Sequence, residues 1–185
     1  MTTANVSMSV IDAINARASV RAFAATPVSN ADIDFLLRAA VRAPTAMHGE
    51  PWVFVIIQDR TVLRKIDESV KTGVLAKALA AHMLPADFDI FHGAGTLIAI
   101  GTRKAGPFIE GDCWLAAENL MLAATGAGLG TCCIGSAAGA LNDRAVKAAT
   151  GLPADVRFIV PIVVGHPAGE TAPTPRRDPE VAAWL

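Results

Sequence analysis

Arg17-Ala18-Ser19-Val20-Arg21-Ala22-Phe23 is the stretch on which the reading of this chain turns. It sets two guanidinium groups and a hydroxyl at a helix-to-loop junction near the start of an otherwise apolar sequence. Val10, Ile11 and Ile14 support a first short helix ending there. Arginine offers rigid planar donors suited to phosphate and to carbonyl edges. Two of them four residues apart near a helix end are placed to converge on one polyanionic ligand, so a nucleotide-like cofactor is the first expectation. Taken alone, the segment reads more simply as a solvated helix end with two surface arginines. The rest of the chain decides between these.

Composition narrows the classes. The 185 residues suit one domain with a substantial core. No repeat or linker divides them, so the expected unit is 1–185, with 166–185 as an extended arm containing four prolines. A formal net charge of -1, an isoelectric point near 6.4 and no basic run longer than Arg176-Arg177 argue against a nucleic-acid footprint. Three cysteines, an odd number, fit reduced thiols. Met1 to Ser9 lacks a basic region followed by an apolar one, so no signal peptide is read and a cytoplasmic location is expected.

The chain is also unusually apolar, with 52% hydrophobic residues and a mean hydropathy of +0.42. Asn119 to Asn142 carries no charge, a length sufficient to cross a membrane. Gly126, Gly128, Gly130, Gly135 and Gly139 make it a poor lipid-facing helix, and burial in a large subunit interface is the better outlet.

Periodicity gives alternating helices and strands. Ser29 with Asp32 three residues on reads as an N-cap of capping-box type, followed by Ile33, Leu36, Leu37, Ala40 and Val41 at helical spacing, with Pro44 as the stop. Trp52 to Ile57 reads as a buried strand, Thr61 to about Met83 as helix, Thr96 to Ile100 as a second strand, and Asp112 to Ala127 as a long buried helix. Beyond a glycine-rich loop, Asn142 to Thr150 is helical with Gly151 as C-cap. Val156 to Val164 is a strand in which Pro161 favours an edge or bulge position. The fold class is α+β.

Three further segments join the arginine stretch. Ala43-Pro44-Thr45-Ala46-Met47-His48-Gly49-Glu50-Pro51-Trp52 follows about twenty residues on, Gly128-Leu129-Gly130-Thr131-Cys132-Cys133-Ile134-Gly135 lies mid-chain, and Arg176-Arg177 near the end. Together they resemble the signatures of the FMN-dependent nitroreductase-like family: R-x-S-[VI]-R-x-F, A-P-[ST]-x-x-N-x-Q-P-W, G-L-G-[ST]-x-x-I-G and a basic pair in the tail. They stand in the family's order and span about residues 10 to 180. The resemblance implies a nitroreductase-like fold with a central mixed or antiparallel sheet flanked by helices. It also implies an obligate homodimer with FMN at the subunit interface.

By this resemblance, Arg17 binds the FMN phosphate or ribityl side, with Ala18 and Ser19 beside it. Flavin takes a hydride at N5 and spreads the resulting charge over N1 and O2, where a cation stabilises it; Arg21 is the candidate. Arg176, with Arg177 next, suits the phosphate end. Pro44, Thr45, Ala46 and His48 reach the flavin held mainly by the partner subunit, and a backbone N–H near Cys133, Ile134 and Gly135 faces N5. The family often has a basic residue or His where this chain has Ala18, and Lys or Arg where it has Thr174. It commonly has Asn at His48 and Gln at Glu50. An ionised Glu50 only accepts hydrogen bonds, whereas neutral His48 both donates and accepts. The exchange therefore bears on substrate preference, with His48 and Glu50 as the substrate-facing pair.

Other chemistries find no support. The third glycine of a dinucleotide fingerprint is missing in both registers of the 126–135 stretch, which follows a helix. Cys132 and Cys133 are adjacent rather than spaced as a dithiol or zinc pair, and His48, His82, His92 and His166 show no ligand spacing, so no metal is expected. The expected activity is hydride transfer from NADH or NADPH through FMN to a nitroaromatic, quinone or enone in a ping-pong cycle. The alternatives are a family offshoot acting on flavin itself or on another electrophile, and a non-catalytic protein that stores or senses FMN.

Overall fold

The computed structural model describes residues 8–75, 88–172 and 174–185. Its elements run α1 (Val10–Ala16), α2 (Asn30–Ala40), β1 (Trp52–Ile57), α3 (Arg60–Val70), β2 (Thr96–Thr102), α4 (Ile109–Gly126), β3 (Gly130–Cys133), α5 (Ala137–Asn142), α6 (Arg144–Thr150) and β4 (Arg157–Gly165). Four helices begin on a side chain that accepts from the first turn: Ser9, Ser29, Asp59 and Asp143. Lys71–Leu75 continues α3 as a wider turn. The expected helical stretch from residue 76 to Met83 lies outside the described residues.

The strands pair antiparallel in the order β1-β2-β4-β3. β2 and the stretch Pro161–Gly165 are buried along their whole length because helices cover both faces. Leu97, Ala99 and Val163 face α3 and α5, while Ile98, Ile100, Ile162 and Val164 face α2 and α4. The buried strand expected at Trp52 to Ile57 forms, but as an edge: only Ile57 is fully covered.

Three expectations change. Pro161 lies in a central strand, not at an edge. Its missing N–H falls opposite Ile134, whose own N–H still donates to Pro161 O at 2.8 Å, while the Ile134 carbonyl turns away to accept from Ala137 N–H. The register shift sits next to it, between Ile100 and Gly101 of β2, leaving Ile159 unpaired. The glycine-rich stretch is a strand rather than a loop, β3. α4 ends on Gly128 at φ 74°, with Leu129 N–H donating back to Ala124 O at 2.8 Å and Gly128 N–H to Thr125 O at 3.1 Å. Finally, Asn142 to Thr150 is two helices broken at Asp143, which caps the second; Gly151 closes it at φ 73° as expected.

The uncharged stretch from Asn119 to Asn142 finds its outlet inside the chain. Leu120, Ala124, Leu129, Cys132, Ile134, Ala137, Ala140 and Leu141 are all buried in it. Large apolar side chains left exposed lie elsewhere, among them Val10, Ile11 and Ile14 on α1, Trp114 and Leu115 early on α4, the helix against which α1 packs, and Trp184 and Leu185 in the tail. No helix among the described residues is long and apolar enough to cross a membrane.

Candidate functional site

The Arg17–Phe23 segment is extended. Val20 N–H donates to Thr131 O at 2.9 Å, and Ser19 pairs with Thr131 in parallel, so the segment adds a partial strand beyond β3. Farther on, Ala24 N–H donates to His166 O at 2.8 Å and Ala168 N–H to Ala22 O at 3.0 Å. Two glycines make room for this approach. A Cβ on Gly130 would stand 2.7 Å from a Val20 methyl carbon, and one on Gly165 would stand 2.7 Å from the Phe23 ring.

In an extended chain, side chains alternate between faces. Ala18 and Val20 are buried, while Arg17, Ser19 and Arg21 are the less covered positions between them. The Ala18 methyl is 8% exposed and lines an open pocket of about 170 Å³ with Ala16, Val20 and Gly130. Four extended residues set the Cα atoms of Arg17 and Arg21 about 13 Å apart, and the two side chains have different charged neighbours. Arg17 lies toward α4, 3.7 Å from Glu118 and about one-fifth exposed. Arg21 lies toward His92 and Cys132, whose proton affinities it lowers.

Electrostatics around the thiols follow burial. Burial, reinforced by Cys132 and Glu118 and opposed by Arg17, pushes the Cys133 thiol up to about 11. Burial likewise pushes Cys132 up, against Arg21 and a hydrogen bond from Ser19. Both thiols are therefore protonated near neutrality and inert as nucleophiles. Ile134 is buried and its N–H is spent on Pro161 O, so it is not the donor to an outside ligand. Gly135 is exposed, donates to no backbone acceptor among the described residues, and has nothing within 4 Å of where a Cβ would stand.

The 44–50 loop is a separate structure. Asp112, buried on α4, accepts from Ala46 N–H at 3.1 Å, Thr45 Oγ1 accepts from Glu50 N–H at 3.4 Å, and Lys104 Nζ donates to Gly49 O. Met47, His48 and Glu50 all have positive φ, of 51°, 50° and 38°. Asn and His are among the side chains that tolerate this region best. Pro44, Met47, His48 and Glu50 are exposed, Met47 at 88%. Among the described residues no hydrogen bond ties this loop to Arg17–Phe23, and His48 and Glu50 do not pair. Arg176 and Arg177 are exposed in a tail without helix or strand. No group of His, Cys, Asp or Glu among the described residues is arranged to hold a metal.

The profile of the nitroreductase family covers residues 14–166. The chain belongs to the nitroreductase family. A protein of Methanothermobacter thermautotrophicus, named as a candidate NADH dehydrogenase/NAD(P)H nitroreductase, is 30% identical over 176 residues, covering 94% of this chain and 85% of that protein. The iodotyrosine deiodinase of Thermotoga neapolitana is 26% identical over 177 residues, 90% of this chain and 93% of that one. Among solved structures, the Bacteroides fragilis nitroreductase with bound FMN superposes with a TM-score of 0.82 at 24% identity, over 97% of this chain and 99% of that chain. The nitroreductase-like fold, an antiparallel sheet flanked by helices, is thus shared.

Sequence reasoning missed three residues of the site region: His92, brought beside Arg21, and Asp112 and Lys104, which fix the 44–50 loop. None lies within a recognisable motif. The only sequence signal was Asp112 as a carboxylate at the start of a helix that is otherwise apolar inward.

Proposed function

We propose that this nitroreductase-family chain is a single flavin-binding domain acting as an FMN-dependent oxidoreductase that draws on NADH or NADPH and works as a homodimer. The observation that carries the reading is the extended Arg17–Arg21 segment pinned to β3 through Val20 and Thr131, with Gly135 exposed just past the end of that strand. Its donors fit a long ligand with anionic character at both ends: two arginines whose Cα atoms stand about 13 Å apart, a hydroxyl between them, and the Gly135 N–H, which has no backbone acceptor among the described residues.

When bound, FMN supplies the redox chemistry, N5 taking a hydride from the nicotinamide and passing it to a nitroaromatic, quinone or enone. The chain's residues do the rest. Arg17, with Arg176 or Arg177 from the tail, neutralises the phosphate, and Ser19 hydrogen-bonds next to it. Arg21 stabilises the charge that gathers on the pyrimidine edge. Gly135 N–H serves the N5 side in place of Ile134, and Cys133 packs against α4 beneath it. Pro44, Thr45, Ala46 and His48 reach across to the flavin of a second copy, where Glu50 and His48 meet the acceptor. No side chain is required as a strong acid or base.

The exposed apolar residues of α1 and α4 support pairing of two copies. The deiodinase relative favours one further acceptor class, halogenated aromatics. A yellow purified protein that releases FMN on denaturation, and that oxidises NADH or NADPH faster when acceptor is added, is the expected result. A colourless protein that takes up no added FMN sinks the proposal. Bound FMN without turnover would identify a storage or sensing protein instead.

A further inference from the structure

Before β2 the chain makes a tight turn at 89–93. Asp89 closes it: Oδ1 accepts from Phe91 N–H at 2.9 Å, Oδ2 from Gly93 N–H at 2.7 Å, and the carbonyl from His92 N–H at 3.0 Å. His92 and Gly93 are both left-handed, at φ 56° and 80°. Glycine adopts this freely. Histidine is among the non-glycine side chains that tolerate it best, and the hydrogen bonds to Asp89 hold the turn in this shape. The turn abuts the site segment, since a Cβ on Gly93 would stand 4.0 Å from Phe23 O. The half-buried His92 ring stands edge-on to Phe88, with centroids 6.4 Å apart at 81°.

Among the described residues, the charged groups acting on the imidazole are Arg21 from the site segment and Asp89 from its own turn. Burial first and Arg21 second lower its proton affinity, and Asp89 opposes them. Cys132 on β3, within the same Arg21 field, is protonated near neutrality. His92 is therefore neutral at pH 7, and among the described residues Arg21 forms no ion pair.

We propose that His92 stands with Arg21 at the pyrimidine edge of the cofactor and takes up one proton from solvent when that edge gains negative charge. This deepens the FMN reading and rests on it. Two electrons and one proton arrive with the hydride. The second proton comes from water to the free imidazole nitrogen and returns to water on reoxidation. The physical cause is charge compensation: new negative charge favours the imidazolium against burial and offsets the repulsion from Arg21.

The test is the midpoint potential of the bound flavin between about pH 6 and 8. One proton per two electrons gives about 30 mV per pH unit and two protons give about 59 mV. Wild type is expected at the steeper slope and His92→Gln at the shallower one. In the wild-type holoprotein, the His92 ring resonances should titrate at least one pH unit higher in the reduced than in the oxidised state, a readout that needs no variant. Equal slopes in the two proteins, or a His92 titration indifferent to redox state, overturn the proposal and leave FMN binding intact. A wild-type protein that does not hold FMN overturns both.

Discussion

At the scale of single residues, Arg17 and Arg21 divide the work that two convergent arginines had been expected to share. Extended backbone rather than helix separates them, and a ligand long enough to touch both has chemically different ends. Arg17→Ala is therefore expected to weaken FMN by about ten- to a hundredfold, the worth of one charged hydrogen bond. Riboflavin, which lacks the phosphate, should bind wild type and variant alike. Fluorescence titration with both ligands checks this, and an equal loss for the two would remove Arg17 from the phosphate. Cys113 gives a second, independent test. Its thiol is fully buried, donates to Gly101 O at 3.9 Å and is pushed up to about 11, mainly by burial and then by Asp112. A thiol in the unfolded chain ionises near pH 9, so between about 9 and 11 the unfolded state loses its proton first. The stability this group contributes is complete below pH 9 and lost as pH rises. The unfolding free energy from urea titrations should fall between pH 8 and 10.5 by roughly 1–2 kcal/mol more for wild type than for Cys113→Ala.

At the scale of elements, the close approach of Val20 to Gly130 joins the site segment to the sheet. Gly130→Ala puts a methyl where Val20 already stands. The variant should keep its circular dichroism and lose about five- to a hundredfold in FMN affinity, because overpacking of this kind costs about 1–3 kcal/mol. Full retention of affinity would mean the segment adjusts without effect on the site. What the sequence made legible follows from how local each signal is. α2 was readable because Ser29 and its apolar spacing lie within a few residues of each other, and β2 because it is uniformly apolar. β3 was not: glycine, threonine and two cysteines gain their strand conformation from pairing with β4, some thirty residues away. The break at Asp143 was hidden for a similar reason. The side chain of Asn142, the last residue of α5, bonds Phe158 twice, donating from Nδ2 to Phe158 O at 2.7 Å and accepting from Phe158 N–H at Oδ1 at 2.9 Å. The arginine, glycine and proline motifs of the site could be recognised, whereas His92, Asp112 and Lys104 enter only through tertiary approach.

At the scale of the whole molecule, the apolar excess divides between an interior that absorbs the 119–142 stretch and an outer face that does not. Ile11 is 65% exposed and Ile14 50% on α1, so a charge there leaves the fold of one chain untouched. Ile11→Asp is expected to stay folded and to shift the protein from dimer to monomer in sedimentation, with FMN lost alongside because part of the site would come from the second copy. A folded monomer that retains FMN would show that each chain holds the cofactor alone. The seam between Val20 and Thr131 has one more consequence. Its two sides, like those of Phe23 and Pro167, come from parts of the chain on the order of a hundred residues apart. Loops of that size close late in folding, since their entropy is lost before any contact repays it. A nascent chain thus has its arginines from the outset but no place for a ligand until nearly all of β4 has formed, so cofactor capture marks completed molecules and passes over partial ones.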